Sequence, residues 1–557
     1  MYPVAGEIPK RSCAPVHCWL TCYNRLPRSI SPQTHAFPHQ QVAFVSATAV
    51  VFLVAQSSAF LGSPEILPFV MPDDFTDLKA VAWRVEPGRP DPANPLLEPE
   101  MPWDAGGVFS HGTVLRDPID GVWKAWQVST PVSKPYGPGT WTHDRRLTYL
   151  ESRDGVNWLR PKLSFVRWEG HEHTNILLDL WCSYASVNID VNRDWPYEMF
   201  IFRYPGYPGA SGRIEGLPLP EKRDTHPYGL YRYRSKNGKA WQAVAGPLKL
   251  ATNDSCFIYR FGEREYVSYH KTELPAFPGG LAPYDIADGG VRLIGRRTSP
   301  DGMNWSDPTQ LVMTPDWRDP ADTQFMELCP LKVPGGFVAT TTVYHNHTQN
   351  IDLQWAASRD GVRWWRADRR PALPNPPLGD YGGGMIWPMR TPVIDGDKLH
   401  VYYSGTQGLH GDMFNTKDSG PRQLRARGEK LSRQSSSTPD FGALCRATWT
   451  AGRLWALAPS IGGPHAGTAT TRRRDLGGKT IRVNVVTRAG GELRVELLDR
   501  TGRVVPGFSA DDCLPMSGDH RLQTVRWSGG DTAPASAAML RFVLQRAFLY
   551  GFDAVKR

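Results

Sequence analysis

Two carboxylates in the middle of the chain occupy equivalent places. Asp254 lies seven residues ahead of the turn segment FGERE (261–265), and Glu327, in FMELCPL, lies six ahead of VPGGF (333–337). Carboxyl groups held on neighbouring strands can divide acid–base work, one giving a proton while the other, ionised, attacks or activates water. Counting back about seven residues, at ~3.3 Å each, from comparable turns places three more groups at the same level. These are His111 ahead of DPIDG (117–121), the 184–186 region beginning at Tyr184 ahead of NRDWP (192–196), and Trp387 ahead of IDGDK (394–398). Asp104, in PWD, and Asp322, five residues before Glu327, are reserve candidates for either carboxylate role.

The elements that must position these groups announce themselves by repetition. SRDGVNW from Ser152 recurs as SKNGKAW from Ser235, SPDGMNW from Ser299 and SRDGVRW from Ser358, at spacings of 83, 64 and 59 residues. Such periods belong to solenoids, propellers or arrays. Asp-Gly or Asn-Gly between β-prone runs such as LTYLE, LYRYR, VRLIGRR and IDLQWAA is a hairpin signal, with the closing Trp expected to pack back on its own hairpin. Each phrase is therefore structural. Taken as the outer hairpin of a four-stranded unit, with the earlier turns as the inner hairpin, the pattern predicts five units, the fifth closing through LCRATWTAGRLWAL from Leu444.

With 53 Gly, 49 Pro, 20 Trp and 20 Tyr in 557 residues, and few helical periods, the chain reads as all-β. The expected fold is a five-bladed β-propeller over 75–463 followed by a C-terminal antiparallel β-sandwich over 466–557, where IRVNVV, LRVELLD, MLRFVLQ and AFLYGF alternate. Residues 1–70 read as a leader. No Asp, Glu, Lys or Arg falls between Arg28 and Glu65, and the apolar run from Val42 to Ala55 suits a signal peptide or anchor, with a disordered tail as the alternative. The implied location is secreted or at the cell envelope, with no membrane span beyond that segment. A net charge of +9 is spread without long basic blocks, which argues against nucleic acid as a partner. The eight cysteines show neither a zinc pattern nor a disulfide framework.

NPLLEP (94–99), GTVLRDP (112–118), the four turn phrases and VELLDRTGRVVPGFSADD (495–512) resemble the glycoside hydrolases of families 32 and 43, most closely bacterial proteins similar to the family 32 N-terminal domain. The resemblance implies a carbohydrate substrate and glycosidic cleavage by paired carboxylates. FMELCPL is similar to the family 32 Trp-Glu-Cys-Pro motif, so the resemblance implies that Glu327 is the general acid; Leu328 is an insertion relative to that motif. Asp254 is the chosen partner. The family's WMNDPNG nucleophile motif has no counterpart beyond DPANP (91–95), and Asp117 of the Arg-Asp-Pro motif reads as part of a tight hairpin.

Trp141, His270, Lys271, His345, His347, Trp387 and His111 are expected to line the sugar site, along ring-rich loops at 131–143, 205–229, 272–285 and 406–442. No cofactor is called for, and His345-x-His347 lacks a third ligand for a metal. Two alternatives stay open. One is a carbohydrate-binding propeller without catalysis; the other is a sialidase, whose Asp-box turns normally carry one more residue between Asp and Gly and whose arginine triad is not identifiable here.

Overall fold

The computed structural model describes residues 65–104, 107–130, 145–168, 170–180, 182–203, 229–250, 255–275, 290–410, 442–460 and 466–556. Apart from the 3-10 turn Pro72–Asp74, the described elements are β-strands. The protein is all-β. Antiparallel meanders follow one another along the chain. The first holds Gly107–Arg116, Trp123–Thr130, Arg146–Ser152 and Trp158–Leu159; the second Cys182–Ile189, Tyr197–Arg203, Gly229–Ser235 and Trp241–Ala245; the third Cys256–Gly262, Glu265–Pro275, Gly290–Ser299 and Gln310–Met313. A fourth, Thr323–Val333, Gly336–His345 and Ile351–Ser358, joins a fifth, Met385–Pro388, Lys398–Thr406 and Gly442–Thr450, through one parallel pairing of Ile351 with Met385. Middle strands such as Trp123–Thr130 are buried along their whole length because both faces are covered by neighbouring sheets.

The fifth meander is finished by residues from the N-terminal side. Arg89–Pro90 pairs with Ala447 and Thr448, Leu97 bridges Leu444, and Asp91 forms an ion pair with Arg446. DPANP is thus a clasp.

The repeated phrase builds the same turn four times. The serine hydroxyls of Ser152, Ser235, Ser299 and Ser358 accept from the glycine N–H three residues on, at 2.8–2.9 Å. The carboxylate or amide oxygen of Asp154, Asn237, Asp301 and Asp360 takes the next two N–H groups. These backbone hydrogen bonds hold the carboxyls of Asp154 and Asp301 well below the usual carboxylate range.

Each turn glycine has φ between 70° and 73° and lies against an aromatic ring of the preceding meander: Gly155 under Tyr402, Gly238 under Trp126, Gly302 under Phe200 and Gly361 under Tyr269. Three of the four glycine carbonyls accept from that ring, Tyr402 Oη at 2.8 Å, Trp126 Nε1 at 2.6 Å and Tyr269 Oη at 2.6 Å. The closing tryptophans follow the same direction. Trp158 meets Tyr402, Trp241 meets Trp126 and Trp364 meets Tyr269. The expectation that these rings fold back on their own hairpins holds for Trp364, whose Nε1 donates to the Gly361 carbonyl of its own turn at 3.3 Å, while Trp158, Trp241 and Trp364 also reach rings of other meanders.

The C-terminal strands Ala466–Thr471, Lys479–Leu498, Asp519–Thr524 and Met539–Lys556 share a seven-stranded antiparallel sheet with Phe75–Lys79, Val81–Val85 and Trp455–Pro459. Trp455–Pro459, expected to close the fifth unit, pairs instead with Val81–Val85 and Met539–Lys556. Leu67, Phe69 and Val70, expected in the leader, are buried, and Val70 N–H donates to the Tyr550 carbonyl at 3.1 Å. The rest of the leader, 1–64, lies outside the described residues. No described helix is long and apolar enough to cross a membrane.

The turn geometry makes one substitution pair informative. Gly238 and Gly121 both have left-handed φ, but an added Cβ at Gly238 meets Trp126 at 2.8 Å while none is met at Gly121 within 4 Å. Both alanine variants carry the backbone cost of about 1 kcal/mol; Gly238→Ala should lose at least about 1 kcal/mol more by urea unfolding, through displacement of the ring.

Candidate active site

The first strands of the five meanders converge, and three of them are irregular at the point of convergence. In Gly107–Arg116 the register passes from Phe109↔Val128 to Thr113↔Trp126, so three residues, His111 in the middle, oppose one. In Cys182–Ile189 it passes from Ser183↔Phe202 to Ser186↔Phe200 across Tyr184. In Thr323–Val333 it passes from Phe325↔Val343 to Leu328↔Thr341 across Glu327. A bulge removes a residue from the ladder and re-aims its side chain. His111 and Tyr184 accordingly have φ of 22° and 56°, left-handed values that non-glycine residues hold at a cost.

The peptide groups freed by the third bulge are satisfied by hydroxyls. Glu327 N–H donates to Thr342 Oγ1 at 2.7 Å, and Thr341 Oγ1 donates to the Glu327 carbonyl at 2.8 Å. The second bulge is held from a neighbouring sheet, since Thr113 Oγ1 donates to the Ala185 carbonyl at 2.8 Å and accepts from Val187 N–H at 3.0 Å. Main-chain polarity is thereby paired where the ladder is broken.

These bulges bring together His111, Tyr184, Glu327 and Trp387. His111 Nδ1 lies 3.2 Å from Glu327 Oε1, and its ring stacks on Tyr184 at 4.4 Å and meets Trp387 edge-on at 5.1 Å. Ser255 Oγ donates to Tyr184 Oη at 2.7 Å. The pair is buried: the Glu327 side chain is 0% exposed and that of His111 4%. Glu327 Oε2 and Trp387 Nε1 are buried with no hydrogen-bond partner among the described residues. A buried carboxylate oxygen left unsatisfied is costly, and such atoms concentrate where a ligand or a proton is to be received. Met326, Tyr344, Ile351 and Met385 pack with Trp387 as an apolar wall.

Beneath this level Arg390 fills the space between the strands. Its Nε donates to the Ile258 carbonyl at 3.0 Å, Nη1 to the Val187 carbonyl at 3.0 Å and Nη2 to Asn188 Oδ1 at 2.5 Å, while its own N–H donates to the Gly112 carbonyl at 2.9 Å. The guanidinium lies 4.2 Å from the Tyr259 ring centre, and burial pulls its pKa down to about 10.

Other expected site residues lie elsewhere. Asp104 is buried in a turn, accepting from Glu100 and Met101 N–H at 2.8 and 2.7 Å and pairing with Arg160 at 2.8 Å, so it anchors the entry to the first strand rather than joining the cluster. Burial pushes its carboxyl up. Asp322 sits at the strand end, accepting from His347 N–H at 2.9 Å, and His347 is exposed there. His345 pairs with Asp352 at 2.7 Å between the second and third strands of the fourth meander; burial opposes its charge, but that hydrogen bond and the carboxylate raise its pKa. His270 is a core residue beside Ser268, Gly295 and Thr309, and Lys271 N–H donates to the Ser255 carbonyl at 2.8 Å. Trp141 and Asp254 lie outside the described residues. Asp117, read as a hairpin residue, is fully buried there and accepts from Lys124 Nζ at 2.6 Å and Tyr197 Oη at 2.5 Å.

Tyr184, Ser255 and Arg390 carry no motif, and only the strand count pointed to the first. Among the described residues no group of three or more His, Cys, Asp or Glu is placed to hold a metal, and the described cysteines are five buried free thiols.

No protein-family model matches the sequence, and no curated protein sequence matches it. Among solved structures, the chain is similar to a β-1,2-mannobiose phosphorylase from Listeria innocua, with 14% identity over 66% of this chain and 98% of that one and a TM-score of 0.41. It is similar to a member of family 130, a family of mannoside phosphorylases containing glycoside hydrolases that target β-1,2-mannosidic linkages in Candida mannan, with 16% identity over 69% and 96% and a TM-score of 0.40. A thermostable family-43 glycoside hydrolase is similar at 11% identity over 54% and 85%, with a TM-score of 0.37.

Two stability measurements follow from the site's surroundings. Arg390→Met strips donors from two carbonyls and an amide oxygen, of which Asn188 Oδ1 keeps the Arg260 N–H at 3.1 Å; with a buried acceptor left unpaired costing about 1–3 kcal/mol, urea unfolding should show a loss of about 2 kcal/mol or more. Burial pulls the imidazoles of His270 and His400 down to about 4 from an ordinary 6.5. Their folded pKa values are depressed, so the unfolded chain takes up protons first. Stability should therefore fall as pH drops from about 6.5 to about 4, by up to about 3 kcal/mol for each group, and variants with Gln at both positions should flatten that slope.

Proposed function

We propose that the protein is a carbohydrate-active enzyme that cleaves glycosidic bonds, with Glu327 as its proton donor. The observation that carries this reading is the buried His111–Glu327 pair, set on bulged strands from separate meanders, with one carboxylate oxygen held by the imidazole and the other unpaired. That arrangement fixes a proton-carrying group and leaves one oxygen for a leaving group. Trp387, beside it, offers a ring edge and an indole N–H to a sugar. Asp254 is the proposed second carboxylate, being the residue before Ser255, whose hydroxyl already bonds Tyr184 at the cluster. In this reading the five meanders are the blades of a propeller with the cluster in its funnel, the C-terminal strands form the appended sandwich, and the apolar segment 42–55 directs the chain to the cell envelope or beyond.

Reducing-sugar release from a panel of polysaccharides and aryl glycosides tests the proposal. Glu327→Gln should lower kcat/KM by about 10²–10⁴-fold, the share that a positioned general acid supplies, with Asp254→Asn comparably impaired and both variants folded. Cleavage that survives both changes places the chemistry elsewhere. A wild type that cleaves nothing yet is retained by a glycan points to a binding module.

A further inference from the structure

One aromatic ring stands apart from the packing just described. Trp317 is 91% exposed, while the next most exposed large apolar side chain among the described residues, Leu159, is at 68%. An isolated exposed apolar group needs no explanation by itself. The loop that carries this one does.

Residues 314–322, TPDWRDPAD, connect the third meander to the first strand of the fourth and are tied down by buried charge. Asp319, with a side chain 2% exposed, pairs with Arg366 at 2.5 Å and with Arg369 at 3.0 Å, and Arg369 also pairs with Asp316. Within the loop, Asp316 N–H donates to Asp319 Oδ2 at 2.8 Å and Arg318 N–H to Asp316 Oδ1 at 2.9 Å. Arg366 itself is braced against the Phe325 ring at 4.7 Å and Gln354 at 3.0 Å. The backbone on both sides of Trp317 is therefore held by ion pairs and hydrogen bonds, which presents the indole to water on a loop that need not be ordered on binding.

The loop also stands at the approach to Glu327. It runs directly into Thr323–Val333, and Glu327 lies four residues along that strand, about 13 Å from its start. Asp322 joins this loop to the 345–350 turn by accepting from Asn346 N–H at 3.1 Å and His347 N–H at 2.9 Å, so exposed His347 belongs to the same rim.

We propose that Trp317 is a stacking platform for a pyranose or furanose ring of a saccharide chain that extends outward from the Glu327 cluster. Sugar rings have an apolar C–H face bordered by hydroxyls, which fits a flat exposed indole with polar neighbours at its edge. This inference rests on the reading of the protein as carbohydrate-active, and it adds a distal binding site outside the chemistry.

Affinity electrophoresis of the full chain through gels containing yeast mannan, arabinan, levan, xylan or alginate tests it, with Glu327→Gln present so that nothing is degraded. At least one polysaccharide should retard the parent. Trp317→Ala should then weaken that binding about tenfold, Trp317→Phe should restore most of it, and Leu159→Ala, beside the first Ser-x-Asp-Gly turn, should leave it unchanged. Binding by Trp317→Ala equal to the parent, or a parent retarded by none of these glycans, overturns the platform. The two readings separate cleanly. Retardation that depends on Trp317 in a wild type releasing no reducing sugar keeps the platform and removes the cleavage reading; cleavage that depends on Glu327 with retardation indifferent to Trp317 does the reverse.

Discussion

The structure turns on a buried guanidinium. Arg390 spends its N–H groups on carbonyl and amide oxygens of two other meanders, and its main chain is held by Gly112 of a further one and by Tyr259 Oη at 2.6 Å. The first strands of the first three meanders lie near one another without forming ladders, so the oxygens between them need other donors. A planar fork with five donors can reach several such oxygens at once. Burial of the guanidinium accounts for the downward pull on its pKa, which the neighbouring Tyr259 only partly opposes.

Above this tie the strands are free to deviate, and they do so where His111, Tyr184 and Glu327 stand. The deviations cost ladder bonds and left-handed backbone, which Thr113, Thr341 and Thr342 partly offset by pairing the released peptide groups. What is gained is direction: side chains from three strands face one another at hydrogen-bond and ring-contact distance in buried surroundings, where a carboxyl–imidazole contact is stronger than in water. Local strain at a convergence of polar groups is the observation on which the proposed site rests.

Around this centre the repeated phrase acts as a set of latches between meanders. Because Tyr402 of the fifth meander covers Gly155 of the first, as Trp126, Phe200 and Tyr269 cover the next three turn glycines, the latching runs from the last meander back to the first. The clasp of Arg89–Pro90 on Ala447 and Thr448 joins the two ends of the same region. Relative motion of the meanders is thus resisted at their outer turns, and the centre inherits that rigidity.

The all-β class, the four turn phrases and the level of the central residues were all legible in the sequence, because turn chemistry and strand rise are local and regular. Counting from hairpins named His111, the 184–186 region, Glu327 and Trp387, which the structure brings together, and Asp254, which lies outside the described residues; about seven residues of strand span the same length in each meander. Other features were decided only by tertiary structure. The bulges that aim His111 and Glu327 depend on pairing with other strands; the tryptophans of the repeated phrase choose partners in the adjoining meander; and Asp104 and His270, plausible as site residues by type, are consumed by Arg160 and by core packing. Trp455–Pro459 reads on its own pattern as the closing strand of the fifth meander, yet pairs with Val81–Val85 and Met539–Lys556, far from it in sequence. A single chain encodes which residues prefer strand and turn, but which faces meet is settled by burial and hydrogen-bond pairing summed over the whole fold.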